Sequence, residues 1–423
     1  MSRRLTGIRF AALGGFAAVV MASLPLWVSG GVYPRAPLLE FLSPLAGPVG
    51  DVVFLVLALA LIASCFEKAM RVALPIACVS ALLLVAGDRM RVQPFVFQHI
   101  GIFAVLAWIG AARSDTGGDS RYDSRATTGL RALMLIHASI YVFAGLWKAT
   151  PGFWSGTWPA LLAPVFGLDD PSDPPAAIVM SGVAIMVFEI WIGIGLLRPS
   201  WRRAALWGAT LMHAGIPILL GLFHEGYDLG VYPWNAGMVA LGWTIFGRSH
   251  ERIGPREVTS GGPVVWSIVL CFWLLPLLHG FGLWHANLSF SLYSGNNDRA
   301  TLFVSRDRAS RMPASPLEHG RFYERPPERG LELMRALPAG LIDPARHLYL
   351  DIDHWALDEY RQTVPPEGSA YRGIARELCR GEIDPRGVIL LIEPKASLFA
   401  GLASFHVYSC AEEIVLPLPS PRW

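Results

Sequence analysis

Charge is scarce in this sequence. Charged residues fill 16% of its 423 positions, against about 25% in ordinary soluble domains, which excludes a wholly soluble or disordered chain. Lysine is nearly missing: of 35 basic residues only Lys68, Lys148 and Lys395 are lysines. That arginine bias points to a GC-rich, bacterial genome, and it makes any lysine at membrane depth unusual. The five cysteines include no C-x-x-C pair, which argues against a zinc finger, an iron–sulfur cluster or a disulfide-dense scaffold. There is no H-E-x-x-H or comparable helical histidine pair, so no metal site is expected. The net charge of +2 is not gathered into one basic block, so no nucleic-acid partner is expected. No internal repeat is visible.

What is present is apolar. Hydrophobic residues reach 53%, tryptophan alone counts 15, and the mean hydropathy is +0.42. Bilayer-length runs follow one another from the start. Nine spans are read near 9–30, 51–66, 71–87, 95–112, 129–148, 176–197, 203–222, 229–247 and 263–284. Pro75, Pro217, Pro233 and Pro276 interrupt several of them, which a bundle tolerates where neighbours satisfy the freed carbonyls. Arginine and lysine crowd alternate loops: Arg3, Arg4 and Arg9; Lys68 and Arg71; Arg113, Arg121, Arg125 and Arg131; Arg198, Arg202 and Arg203; Arg248, Arg252 and Arg256. The other loops hold little beyond Arg35, Arg89 and Arg91. The positive-inside rule then places the N-terminus in the cytoplasm of a bacterial inner membrane, and an odd span count sends the C-terminal tail outside. The stretch 114–128 reads as a solvated cytoplasmic loop.

The chain therefore divides into a transmembrane domain, 1–284, and a smaller extracytoplasmic domain, 285–423. The fold class is an all-α polytopic membrane bundle followed by a small α+β domain. Within 297–423 the β-like runs are Thr301–Ser305, His347–Ile352, Val388–Glu393 and Ser404–Ser409. An amphipathic helical stripe, Tyr371, Ile374, Ala375 and Leu378, follows a Pro365-Pro366-Glu367 start signal. Cys379 and Cys410 are the two cysteines of this domain, and an extracytoplasmic setting is oxidising. A disulfide between them is expected, pinning helix to sheet; two buried free thiols are the alternative. Cys65, Cys78 and Cys271 lie in or beside spans and read as small core residues.

Ionisable groups at membrane depth are costly, so each is a functional candidate. They are His99, His137, Lys148, Glu189, His213 and His279. For any single histidine the plain reading is an imidazole bonded to a backbone carbonyl inside the bundle. His224, Glu225 and Asp228 sit together in an outer loop and read as a solvated rim. Lys148 ends the fifth span. It is either a snorkelling anchor beside Trp147 and Trp154 or a general base, since a desolvated ammonium can lose its proton and a guanidinium effectively cannot. The residues alone leave both readings open.

The run Tyr141-Val-Phe-Ala-Gly-Leu-Trp-Lys148, with Phe153-Trp154-Ser-Gly156-Thr after it, resembles the Y-x-x-A-G-x-x-K segment, and the Trp and Gly that follow it, of the vitamin K-dependent γ-carboxylase and its relatives, the horizontally transferred transmembrane (HTTM) family. Asp88-Arg-Met-Arg91-Val-Gln93-Pro94-Phe-Val-Phe-Gln98-His99 is similar to a segment ahead of the fourth span in bacterial members. So are Glu189, His213 and Leu292-Tyr-Ser-Gly-Asn296 to their counterparts. The resemblance covers roughly residues 10–305. It implies that Lys148 deprotonates a reduced, vitamin K-like quinone, supported by His99, with His213 and Glu189 as further catalytic candidates. Trp147, Trp154 and Gln98, inside the matching segments, stand as candidates for contact with the quinone. Two departures weigh against glutamate carboxylation: the tail is far shorter than the carboxylase's lumenal part, and Trp147 stands where the family has a second lysine. The expected partners are membrane lipid and a lipid-soluble quinone or an exported peptide. The competing readings are a non-catalytic membrane protein whose outer domain binds a partner and, less favoured for want of an inverted repeat, a transporter.

Overall fold

A computed structural model describes residues 2–111, 119–168, 170–223, 228–249, 251–395 and 404–417. Helices dominate up to Phe281, and one antiparallel sheet lies beyond Arg299. The long helices are α1 (Ser2–Ala22), α2 (Pro48–Ala63), α3 (Met70–Gly87), α4 (Pro94–Ala111), α5 (Asp119–Leu146), α6 (Ala176–Leu197), α7 (Arg202–Phe223) and α8 (Val231–Phe246); α9 (Gly262–Val269) begins a last helical segment that runs to Phe281. Among the described residues seven helices are long and apolar enough to cross a membrane: those of α1, α3, α4, α5, α6 and α7, and the segment Gly262–Phe281.

The remaining two expected spans take other forms. α2 has 16 residues and is joined to the helical turn Glu40–Ala46 at a 64° bend. α8 also has 16 residues, short for a bilayer unless it tilts little and its ends reach the interface. The first span is shifted: α1 starts at Ser2, ends at Ala22 and is followed by a single turn, Leu24–Trp27. The stretch expected as loop at 114–128 is helical from Asp119, so α5 carries 28 residues; residues 114–118 lie outside the described residues.

Proline explains where several helices start and change. Pro48 and Pro94 open α2 and α4, positions whose N–H has no helical partner anyway. The last segment passes from α-helix to a π turn at Leu270–Leu274 and then a 3-10 turn at Leu275–Phe281. Pro276 has no N–H to continue the α ladder. The faces of α2 and α3 expose Val52, Leu55, Leu59, Val79 and Leu82, an apolar surface suited to hydrocarbon rather than water. α5 is the central helix, buried along most of its length.

Beyond the bundle the strands β1 (Arg299–Ser305), β2 (Phe322–Tyr323), β3 (His347–Leu350), β4 (Val388–Glu393), β5 (Ser404–Ser409) and β6 (Glu413–Pro417) form one sheet in the order β2-β3-β1-β4-β5-β6. Every neighbouring pair is antiparallel. β4 is central and buried throughout. Two helices of this part matter below, α10 (Ile352–Tyr360) and α11 (Gly368–Leu378). α11 buries Tyr371, Ile374, Ala375 and Leu378, the stripe read from sequence. The expected bond joins Cys379, just past α11, to Cys410, just past β5, with Cα atoms 5.4 Å apart. Of the other cysteines Cys78 and Cys271 are half-buried, but Cys65 is exposed, because α2 ends before it.

The sheet and the bundle share one apolar core. Tyr33, in the loop after the first span, donates from its hydroxyl to the Ile352 carbonyl at 3.1 Å, and the Tyr360 hydroxyl donates back to the Tyr33 carbonyl at 3.1 Å. The Tyr33 ring also lies 4.7 Å from Trp355.

Candidate functional site

Lys148 follows α5 in the turn that ends it. Its backbone N–H still reaches the Gly145 carbonyl at 3.0 Å. Its ammonium donates back to the Ala144 carbonyl at 3.2 Å, an orphan acceptor of the helix terminus that favours a cation. Across the gap, Glu189 sits in the middle of α6, and Lys148 Nζ donates to Glu189 Oε2 at 2.7 Å. Both side chains are 8% exposed, which rules out an anchor reaching for water. The two helices meet closely because Gly145 has no side chain. A Cβ there would lie 2.8 Å from the Met186 carbonyl oxygen, so a larger residue would push α6, and Glu189 with it, away.

The pair lines an apolar cavity of about 300 Å³. Phe153 and Trp158 close one side, and Met212, Gly215 and Ile216 of α7 the other. Gly215 is exposed, with nothing within 4 Å of where its Cβ would be. The cavity thus reaches the outer surface of the bundle along α7. Lys148 Nζ also lies 5.7 Å from the centre of the Phe153 ring. An ammonium has three donors, and two are taken up here, which leaves one hydrogen free to meet an occupant. A cation and an anion sharing one proton across 2.7 Å can act in either sense: the carboxylate accepts a proton while the ammonium stabilises developing negative charge, or the proton passes to Glu189 and frees the amine.

His213 stands one residue along α7 from Met212, behind the cavity wall. Its Nδ1–H donates to Asn235 Oδ1 at 2.6 Å, and its Nε2 accepts from the Tyr141 hydroxyl at 2.8 Å. Asn235 Nδ2 donates to the Val231 carbonyl at 2.7 Å, which orients its oxygen toward the imidazole and so fixes the neutral Nδ1–H tautomer. Tyr141 in turn lies within electrostatic reach of Glu189. The bonds from Tyr141 through His213 to Asn235 therefore tie α5, α7 and α8 together, and the Lys148–Glu189 pair ties the end of α5 to α6.

The other expected site residues fall elsewhere. His99 is buried against Phe16 and Phe103, with Nδ1 bonded to the Phe95 carbonyl at 2.7 Å; it does not line the Lys148 cavity. That is the plain core-histidine arrangement. Gln98 accepts from Trp234 Nε1 at 2.9 Å and donates to Met238, again away from Lys148. Trp147 points from α5 toward His279, 4.9 Å between ring centres, because a residue next to Lys148 lies about 100° round the helix. Trp154 is not in the cavity wall; Phe153 and Trp158 hold that place. His137 is buried beside Tyr141 and Phe246.

The segment 88–99 builds a corner rather than a site. Asp88 accepts from the Met90 N–H at 3.1 Å, and the buried Arg91 guanidinium donates to the carbonyls of Leu26 at 2.9 Å and Leu84 at 3.0 Å. By contrast, 292–296 packs directly on the turn after Lys148. Thr150 Oγ1 donates to the Ser294 carbonyl at 3.2 Å. Gly295, at φ +71°, would place a Cβ 2.6 Å from the Gly152 carbonyl oxygen. Of the outer-loop cluster, His224 and Glu225 lie outside the described residues. Asp228 is no solvated rim group: it is half-buried and accepts from Gln362 Nε2 at 2.7 Å and from the Gly230 N–H at 2.9 Å.

Sequence reasoning missed Lys395. Its ammonium donates to Glu367 Oε1 at 3.1 Å, His279 Nδ1 at 3.1 Å and the Trp284 carbonyl at 3.3 Å. The rarity of lysine was the available signal. Among the described residues no group of three His, Cys, Asp or Glu side chains is placed to hold a metal ion. No family model, no curated protein and no solved structure matches this chain.

Proposed function

We propose that this protein is a membrane enzyme of the γ-carboxylase-like, HTTM type, in which the Lys148–Glu189 pair moves a proton on a lipid-soluble substrate such as a reduced quinone. One observation carries the reading: a buried ammonium and carboxylate 2.7 Å apart line an apolar cavity of about 300 Å³ that opens along α7. A buried ion pair is a poor device for stability, since desolvation cancels most of its Coulombic gain. Beside a cavity it is a device for chemistry. Low dielectric strengthens its action on whatever enters, and a laterally open apolar cavity admits a lipid-borne molecule. His213 and Tyr141 hold Glu189's surroundings in register, as positioning residues. His99 and Gln98 are structural in this scheme. The same reading takes α2 and α8 as spans, giving nine, with the N-terminus cytoplasmic and the sheet domain outside.

Mass spectrometry of the purified protein tests it. A quinone-type molecule should co-purify with wild type and be lost when Ile216→Trp fills the cavity. No such molecule, together with no binding of an added short-chain naphthoquinol, ends the reading. Reporter fusions at residues 120 and 252 should read cytoplasmic and those at 170 and 350 outside; a cytoplasmic signal at 350 overturns the topology.

A further inference from the structure

A second cavity, of about 450 Å³, lies between the outer end of the bundle and the sheet domain. Leu161 and Tyr293 belong to the walls of both cavities. Tyr293 holds a left-handed backbone, φ +52°, an uncommon conformation for an aromatic residue, and its ring stands at the boundary. The chemistry of the two differs. Among the described residues no Lys, Arg or His stands in the wall of the second cavity. It has instead two carboxylates, Asp228 from the bundle and Asp353 from α10, and four aromatic side chains, Phe95, Trp234, Tyr293 and Tyr371. Thr363 in its wall is exposed, so the cavity is accessible from outside the sheet domain.

Asp353 is the unusual group. It is half-buried, and its carboxylate accepts no hydrogen bond from any described residue. A partly desolvated carboxylate without a donor is costly, and proteins keep such groups where a ligand completes them. Among the described residues too few ligating side chains converge here for a metal ion. Aromatic faces beside carboxylates are the surroundings that hold organic cations.

We propose that this chamber binds an ammonium-bearing ligand, with Asp353 as its counter-ion and the aromatic walls around its alkyl stem. A carboxylate substrate is rejected there, as two acids and, among the described residues, no base face it. The inference is independent of the chemistry assigned to Lys148. Burial pushes both Asp353 and Asp228 up to about 7, so a cation binds more tightly as the pH rises from 6 to 8. The groups facing Asp353 are Asp351, which caps its helix, His354 on that helix, Tyr371 of α11, Tyr349 of β3 and Tyr33 of the first loop; Asp228 faces Gln362.

Calorimetric titration of the full-length protein in detergent tests the assignment, with spermidine as a free amine, Gly-Gly-Lys amide as a peptide-borne amine and glutarate as the anionic control. At least one amine should bind, at least tenfold more weakly to Asp353→Asn, with affinity restored toward wild type by Asp353→Glu. Leu357→Trp, which fills the chamber, should remove binding even if Asp353→Asn proves unstable. Binding of the tripeptide alone, with the same loss, identifies a peptide as the source; binding of spermidine identifies a free amine. Lys148→Arg should leave amine binding intact, which separates failure here from failure of the proposed proton chemistry. Unchanged affinity in both Asp353→Asn and Leu357→Trp, equal binding of glutarate, or no binding of either amine overturns the proposal.

Discussion

Among the described residues lie two buried lysine–carboxylate pairs, one inside the bundle and one where the sheet domain meets it. Lys148 and Glu189 are 2.7 Å apart, Lys395 and Glu367 3.1 Å, and all four side chains are largely buried. What differs is how each ammonium is used. Lys395 has three acceptors for its three hydrogens, drawn from the last span, the segment after it and the start of α11. It is saturated, lines neither cavity, and ties the domain to the bundle. Lys148 has two acceptors and a cavity. The same pair of residue types thus serves as a fastener when its hydrogen bonds are complete and, on the function proposed above, as a reactive group when one is left open. In a chain with only three lysines, both buried ones are paired with glutamate; the compact ammonium suits a small pocket that a planar guanidinium would not fit.

The sharpest way to break this comparison is to make the same substitution at both pairs. Lys148→Arg keeps the charge but cannot give up a proton near neutral pH. It should abolish function in a complementation test of the host while expression stays near wild type. Lys395→Arg should leave function largely in place and act on stability instead. Full function in Lys148→Arg ends the proton-transfer role; total loss in Lys395→Arg in well-folded protein would show that the fastener is also chemical.

The next effect is on stability. Removing one partner of a buried pair leaves the other unpaired at a cost of roughly 3–5 kcal/mol. Lys395→Met should therefore loosen the sheet domain by about that amount, read as earlier proteolysis of residues beyond Arg299 in limited digestion. A fragment pattern identical to wild type would remove the fastening role. Glu367→Gln should behave alike, since its carboxylate also accepts from the Ala286 N–H.

Slightly smaller is the disulfide. Cys379 and Cys410 are 31 positions apart, and closing a loop of that size is worth about 3–4 kcal/mol. Cys379→Ser should lower the melting point of the sheet domain without touching Lys148 function. Both thiols found alkylatable in unreduced, denatured protein would show that the bond does not form.

These contrasts also show what was legible beforehand. Hydrophobic run length located the helices, because apolar length is a one-dimensional property; the stripe of α11 followed from periodicity, and β1, β3, β4 and β5 from short β-like runs. Span ends were less legible: the bend before α2 and the π turn at Leu270–Leu274 depend on packing and on prolines acting through neighbours. Lys148 and Glu189 could be named from composition alone, but not their contact, which rests on two helices meeting at Gly145. Trp147 and Trp154 were named for the cavity, but helix rotation and the π turn after Lys148 put Phe153 and Trp158 there instead. His99 followed the ordinary fate of a buried histidine. Lys395 was hidden because its partners come from three segments far apart in sequence, and Asp228 because the domain that covers it is over a hundred residues away.

The smallest effect concerns pH, and it is read on the buried carboxylates. Asp228 and Asp353 are pushed up from 3.8 to about 7 by burial, and Glu367 is also raised, burial being the largest cause. Each therefore binds a proton in the folded protein at a pH where the unfolded chain has lost it. Between the ordinary carboxylate range and about pH 7 the folded state holds more protons, so stability falls as the pH rises through that window and recovers on acidification. His285 works the other way. Burial lowers it from 6.5 to about 3, so below pH 6.5 the unfolded chain takes up a proton that the folded one refuses. Acidification from pH 8 should first stabilise the sheet domain and then give less and less further gain below pH 6.5, a change of roughly 2–4 °C in melting point per kcal/mol. Asp353→Asn removes one of the raised carboxylates and should flatten the rise between pH 8 and 6.5, while Cys379→Ser should lower the whole curve without changing its slope. A melting point that climbs with pH across that interval would mean the chamber carboxylates are ionised and paired in the folded protein, and the chamber would not be open to a cationic ligand.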